Sequence, residues 1–230
     1  MTTFALVHGA WHGAWCWEPL VREVEARGAH AVAVDLPSDD PVAGCSEYAA
    51  VVVDALRDVD EPVDVVGHSL GGLTIPLVAA ARPVRRLVFL CAFVPRPGRG
   101  PWELDEGEPS PFGESFGGFE RDDLGRTVWR DLDLAVEKLY ADCDPADARA
   151  AAARLRPQGP LPNSQPCQLE RLPDVEYAAI LTREDVAVSA EWTRWTAQNR
   201  LGGIEPVELP GGHSPMLARP AAVAELLVRH

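Results

Sequence analysis

The sequence predicts an α/β fold, a mostly parallel central sheet with helices on both faces. Three observations predict it. Short, near-continuous apolar runs recur along the chain, as strands buried on both faces require. Segments with apolar residues at helical spacing stand between them. The alternation stops after Val94 and resumes at Tyr177, so an insertion interrupts one core instead of a second domain following it.

Phe4 to Val7 reads as the first strand. Trp17, Leu20, Val21 and Val24 then fall at i, i+3, i+4 and i+7 of a helix that Gly28 closes. Ala31 to Val34 is the second strand, ended by Asp35-Leu36-Pro37. Tyr48, Val51, Val52, Ala55, Leu56 and Val59 make one face of a second helix, and Val63 to Val66 is the third strand. Leu70 to Ala81 reads as helical, with Pro76 expected to remove a backbone hydrogen bond and bend it. Leu87 to Phe93 is the fourth strand. Pro95 to Gly118 holds five prolines and six glycines and reads as a long loop. Helices are expected over Asp122 to Cys143 and, behind a cap at Asp144, over Pro145 to Leu155; Pro157 to Pro173 is again loop-like. Strand Tyr177 to Leu181, helix Ala190 to Gln198, strand Ile204 to Leu209 and helix Pro220 to Val228 complete the chain. The expected division is a core of residues 1–94 and 174–230 with a cap or lid insertion at 95–173, since structureless insertions of that length usually serve function.

Composition narrows the function. The 230 residues are 47% apolar and 24% charged, enough for a core that needs no disulfide or metal staple. Asp and Glu number 35 against 21 Lys and Arg, a net charge of −14 that repels phosphate backbones and anionic lipid surfaces. Neither nucleic acid nor a membrane is therefore an expected partner. The five cysteines lack CxxC or CxxH pairing, so they outline neither a zinc site nor a disulfide framework. The N-terminus has no basic segment of a signal peptide. The longest apolar stretch, Leu87 to Val94, falls far short of the ~20 residues of a membrane helix. A reducing, cytoplasmic setting is expected. With no metal-ligand spacing and no phosphate-cradling loop, no metal and no cofactor is expected; the expected assembly is a monomer or homodimer.

The sharpest local signal is Gly67-His68-Ser69-Leu70-Gly71-Gly72, which follows an apolar strand and opens a helix. Gly-x-Ser-x-Gly in that context is a nucleophile elbow: small flanking residues let strand and helix approach, and the turn lifts the serine hydroxyl above the sheet. Serine needs a base. Of six histidines, His213 stands in Gly211-Gly212-His213-Ser214-Pro215, the loop after the last strand, where this architecture places its sites. His30 and His230 read as solvated, His12 as a buried structural histidine, and His68 as pointing away from its neighbour. Asp185, at the tip of the penultimate strand, is the carboxylate chosen to hold the imidazole, with Glu184 as a rival and Asp174 a weaker one. The backbone N–H groups of Leu70 and Ala10 are the candidate oxyanion donors.

Taken together these residues resemble the α/β-hydrolase superfamily, and within it the small plant-type esterase and hydroxynitrile-lyase branch. The resemblance rests on residues 8–17 (HGAWHGAWCW), 67–72, 181–185 and 212–217, and is weakest from Pro95 to Pro173. It implies a Ser69-Asp185-His213 triad and oxyanion amides at Ala10 and Leu70. Two departures matter. The lyases carry threonine where Gly9 stands and lysine where Ser214 stands, groups that serve cyanohydrin cleavage; the esterases usually have methionine at the latter position. Ser69 also separates the chain from epoxide hydrolases and haloalkane dehalogenases, which need aspartate, and from dienelactone hydrolases, which need cysteine. The expected activity is hydrolysis of small carboxylic esters through an acyl-enzyme, falling at low pH as His213 gains a proton. A lyase, lactonase, thioesterase or acyl transferase, or a non-catalytic ligand-binding protein, stands as the alternative. Among the aromatics, Trp17 reads as core and Trp11 as a possible substrate contact. Trp102, Phe112, Phe116, Phe119, Trp129 and Tyr140 fit either a pocket under a lid or ordinary packing.

Overall fold

The structure, a computed structural model, describes residues 2–229; His230 lies outside the described residues. Six strands form one sheet: β1 (Thr3–Val7), β2 (His30–Val34), β3 (Val63–His68), β4 (Val84–Leu90), β7 (Glu176–Thr182) and β8 (Val207–Leu209). Their spatial order is β2-β1-β3-β4-β7-β8 and every pairing is parallel. The period-2 alternation of strands divides the core. Ala5, Val7, Val65, Leu87 and Phe89 point to one face, while Phe4, Leu6, Val66, Val88 and Leu90 point to the other. Helices α2 (Cys45–Ala55), α3 (Ile75–Ala81) and α6 (Ala190–Asn199) cover the first face. Helices α1 (Glu18–Glu25) and α8 (Pro220–Val228) cover the second.

The chain leaves β1 for β2 on one side and returns to place β3 on the other. Such a switch opens a crevice beyond the carboxyl ends of the two strands, where His8 to Ala10 and Ser69 lie.

Several elements differ from the sequence reading. Residues 69–81 are not one bent helix: a 3₁₀ turn spans Ser69–Leu73 and α3 starts at Ile75, with Pro76 in its first turn. There the missing N–H has no intrahelical partner to lose, so the proline starts the helix instead of bending it. The expected helix over Asp122 to Cys143 is a two-stranded hairpin, β5 (Glu120–Arg121) with β6 (Thr127–Val128), followed by α4 (Leu132–Leu139). The Asp122 carboxylate accepts from the N–H groups of Leu124 and Arg126 at 3.0 Å each, and Gly125 takes φ 74°, so a turn replaces the first helical turns. Asp131 then caps α4 by accepting from Leu134 N–H. Helix α5 (Pro145–Ala152) starts behind Asp144 as expected but ends before Leu155; α2 likewise ends before Val59 and β8 starts after Ile204. The fourth strand begins at Val84 and ends at Leu90, before Cys91 turns to φ 45°. No helix among the described residues is long and apolar enough to cross a membrane.

The opposite end of the sheet is closed by charge. Asp64, fully buried on β3, accepts from Arg86 at 2.7 and 3.0 Å and from Arg85 at 2.6 and 2.7 Å, and Arg86 also donates to Leu227 O. Removing one partner of such a pair strands a buried cation. Asp64→Ala is therefore expected to lose about 3–5 kcal/mol of stability, read from urea unfolding; a loss below about 1 kcal/mol would show that Arg86 finds water or another acceptor.

Candidate active site

Ser69 sits at the end of β3 with φ 52°, the left-handed region that a residue with a Cβ occupies only under restraint. The restraint is visible. Ser69 N–H donates to Cys91 O at 3.1 Å and Phe93 N–H donates to Ser69 O at 3.0 Å. The turn also needs close approach on its far side: a Cβ on Gly71 would lie 2.6 Å from Val7 O. The Gly-x-Ser-x-Gly spacing thus supplies the one residue without a Cβ where β1 and the turn meet.

His213 and Asp185 arrive from the loops after β8 and β7. Asp185 Oδ2 accepts from His213 Nδ1 at 2.9 Å, and Oδ1 accepts from Ala187 N–H at 2.8 Å and Val188 N–H at 3.0 Å. A carboxylate acceptor puts the proton of the neutral ring on Nδ1 and leaves the Nε2 lone pair available. His68 Nε2 donates to His213 O at 2.8 Å, with the two rings 4.6 Å apart. So His68 does point away from the Ser69 hydroxyl, and it braces the backbone of His213. The hydrogen bonds of His213 run through Nδ1 and its carbonyl; none to Ser69 Oγ is formed. That bond often closes only when substrate is present. Glu184, the rival, accepts instead from Gly211 N–H and so holds the His213 loop. Asp174 precedes β7, at the far end from the site.

Ser69, Leu70 and Ala10 border a cavity of about 270 Å³ whose walls include Trp11, Phe93, Trp102, Phe112, Phe116 and Phe119. Arg121, Thr127, Asn163 and Ser164 add polar groups. Trp129 stands behind Trp11, with ring centroids 5.5 Å apart, and Tyr140 binds His12; neither borders the cavity. Sequence reasoning left these aromatics undivided and did not single out Phe93, Asn163 or Ser164. Phe93 carries a readable signal, since it stands near the end of the apolar run Leu87 to Val94, just past the carboxyl end of the strand beside the elbow.

A family model described as the alpha/beta hydrolase family matches residues 4–226. The chain belongs to the α/β hydrolase family. Among curated relatives, methylesterase 2 of Arabidopsis thaliana is 27% identical over 98% of this chain and 94% of its own length. The alpha-hydroxynitrile lyase of the same plant is 29% identical over 97% and 95%. The solved pyrethroid hydrolase from Sphingobium faniae JZ-2 superposes with TM-score 0.82 at 26% identity, covering 99% and 96%. The α/β-hydrolase fold and the esterase branch expected from the sequence are thus both found. Two positions depart from the lyase pattern, Gly9 and Ser214. A Cβ on Gly9 would lie 2.7 Å from Ser69 Cβ, and Ser214 is fully buried.

Burial keeps three histidines around this hydrolase site uncharged. It lowers His8 from the ordinary value near 6.5 to about 4 and His12 to about 3, and pushes His68 well below the usual range. The unfolded chain protonates all three near pH 6.5 while the folded one does not, so stability is whole above that pH and is lost as pH falls toward 4. Urea midpoints measured from pH 7.5 to 5 are expected to drop, with unfolding taking up close to three protons in addition to those of the carboxylates; a flat profile would contradict neutral burial.

Proposed function

We propose that this carboxylic ester hydrolase works by covalent catalysis at Ser69, with His213 as base and Asp185 as its orienting carboxylate. The observation that carries the reading is the Asp185–His213 pair at 2.9 Å, together with a serine held at φ 52° that borders the cavity. Ser69 Oγ attacks the ester carbonyl as its proton passes to His213 Nε2; the imidazolium forms against Asp185, which already holds Nδ1–H. The tetrahedral oxyanion is taken up by the N–H groups of Ala10 and Leu70. Ala10 N–H has no acceptor among the described residues, and Leu70 is the second residue of the 3₁₀ turn, where first-turn N–H groups are free of intrahelical partners. The protonated His213 then gives its proton to the leaving alcohol, and water activated by the same nitrogen releases the acid. We read residues 95–173 as the cap that supplies Trp102, Phe112, Phe116 and Phe119 to the cavity. Such walls favour an ester with an aromatic or bulky apolar part, in keeping with relatives named methylesterase and pyrethroid hydrolase. The lyase reading lacks its groups: glycine stands at 9, and serine, not lysine, at 214. The five free thiols fit a reducing compartment.

Wild type is expected to convert p-nitrophenyl and methyl esters of aromatic acids to acid plus alcohol, and Ser69→Ala to lose that turnover. Asp185→Asn is expected to lower kcat by about 10³–10⁴-fold with the fold intact, by the logic of a histidine held in the wrong tautomer. Release of aldehyde from a cyanohydrin, with esters untouched, would transfer the site to lyase chemistry.

A further inference from the structure

The loop of residues 8–12 is tied down carbonyl by carbonyl. His8 Nδ1 donates to Gly9 O at 2.9 Å and His12 Nδ1 to Ala10 O at 2.7 Å. Arg156 N–H donates to Trp11 O at 2.8 Å, and the Arg156 guanidinium to His12 O at 2.9 and 3.2 Å. Trp11, inside this loop, is held at φ 63°, a conformation it leaves if the ties loosen. The two ties from Arg156 come from a backbone N–H and from a cation that is always protonated, and the His8 tie is secured by the backbone N–H of Leu36, which donates to His8 Nε2 at 3.0 Å. The tie to Ala10 differs, because the second nitrogen of its imidazole depends on a side chain for its donor.

His12 Nε2 has one partner, the hydroxyl of Tyr140 at 2.8 Å, and both side chains are buried. Ala10 O can only accept, so Nδ1 carries the proton, Nε2 is the acceptor, and the Tyr140 O–H donates to it. Burial keeps His12 neutral and holds the Tyr140 phenol protonated, so neither end of the relay is lost to titration near neutral pH. Tyr140 lies 128 residues from His12, just after α4.

We propose that Tyr140 is a positioning residue for the oxyanion site, acting through His12 to fix the peptide that follows Ala10. This rests on the reading of Ala10 N–H as an oxyanion donor. Tyr140 touches neither the cavity nor the reacting atoms. Ala10 O selects the His12 tautomer, and the Tyr140 hydroxyl holds that ring by Nε2 so that Nδ1–H clamps Ala10 O. Ala10 N–H belongs to the preceding peptide, whose carbonyl, Gly9 O, His8 holds, so the two clamps together fix both peptides that meet at Ala10 and with them the aim of its N–H. Without the hydroxyl, Nε2 is a buried acceptor with no donor, a cost the ring relieves only by turning toward a new donor, and in turning it gives up the bond to Ala10 O.

The test compares binding of two ketones that share one carbon skeleton. Ser69 Oγ adds to the carbonyl of an aryl trifluoromethyl ketone, its proton passing to His213, and the resulting hemiketal oxyanion lies where the transition-state oxyanion would. The matching methyl ketone stays largely unadded and reports ground-state binding. Tyr140→Phe is expected to lower kcat for an aryl ester and affinity for the trifluoromethyl ketone by about 10- to 100-fold in parallel. KM and methyl-ketone affinity should stay within about twofold. His12→Asn places an amide N–H near the Nδ1 position with no second nitrogen to satisfy; in that background Tyr140→Phe should change kcat less than about twofold. His12→Leu, which removes the tie with Tyr140 in place, should reproduce the selective loss on its own. Equal losses for both ketones, an unchanged kcat, or the same loss in the His12→Asn background would overturn the proposal. A wild type that binds the two ketones equally would overturn the oxyanion reading beneath it, and is told apart because it appears before any substitution is made.

Discussion

Everything at this site depends on a serine being kept in a backbone conformation it would not choose. Ser69 at φ 52° projects from the end of β3 because bonds to Cys91 O and from Phe93 N–H fix the turn from one side, and the contact of Gly71 with Val7 O fixes it from the other. Strain of this kind costs of order 1–3 kcal/mol, and it persists here because three central strands of the parallel sheet meet around it. The fully buried β3, paired with β1 and β4 along its length, supplies the stiffness.

The second constraint is that polar groups surrounding the turn have nowhere to find water. His8, His12 and His68 are buried, and each bonds a backbone carbonyl: Gly9, Ala10 and His213 respectively. Their neutrality is what lets a single ring donate on one side and accept on the other. Loops that would otherwise be mobile thereby become fixed supports, with preorganisation coming from desolvation instead of from salt bridges.

How much of this was legible in the sequence follows from the range of each signal. Gly67 to Gly72, His213 and Asp185 were readable because local spacing and strand-end position carry the information. The structure brings Asp185 and His213 into contact, pairs Glu184 with Gly211 N–H, and leaves Asp174 before β7 at the far end of the strand. Strand alternation was readable because buried parallel strands are uniformly apolar. The hairpin at 120–128 was missed although Asp122 and Gly125 announce a turn: apolar residues farther on gave a helical period that masked it. Pro76 was misread because its effect depends on whether it stands first or midway in a helix. The division of aromatics between cavity wall and support, and the Tyr140–His12 contact, join residues far apart in the chain, and one sequence holds no record of that pairing.

The most direct test of covalent catalysis is the mass of the protein itself during turnover. Acid quenching of the wild type while it hydrolyses a saturating p-nitrophenyl ester should give an intact mass increased by the acyl group. Digestion should place that group on the peptide containing Ser69, and Ser69→Ala should carry none. Steady turnover with the acyl group on another residue, or with an adduct that persists in Ser69→Ala, would contradict the account.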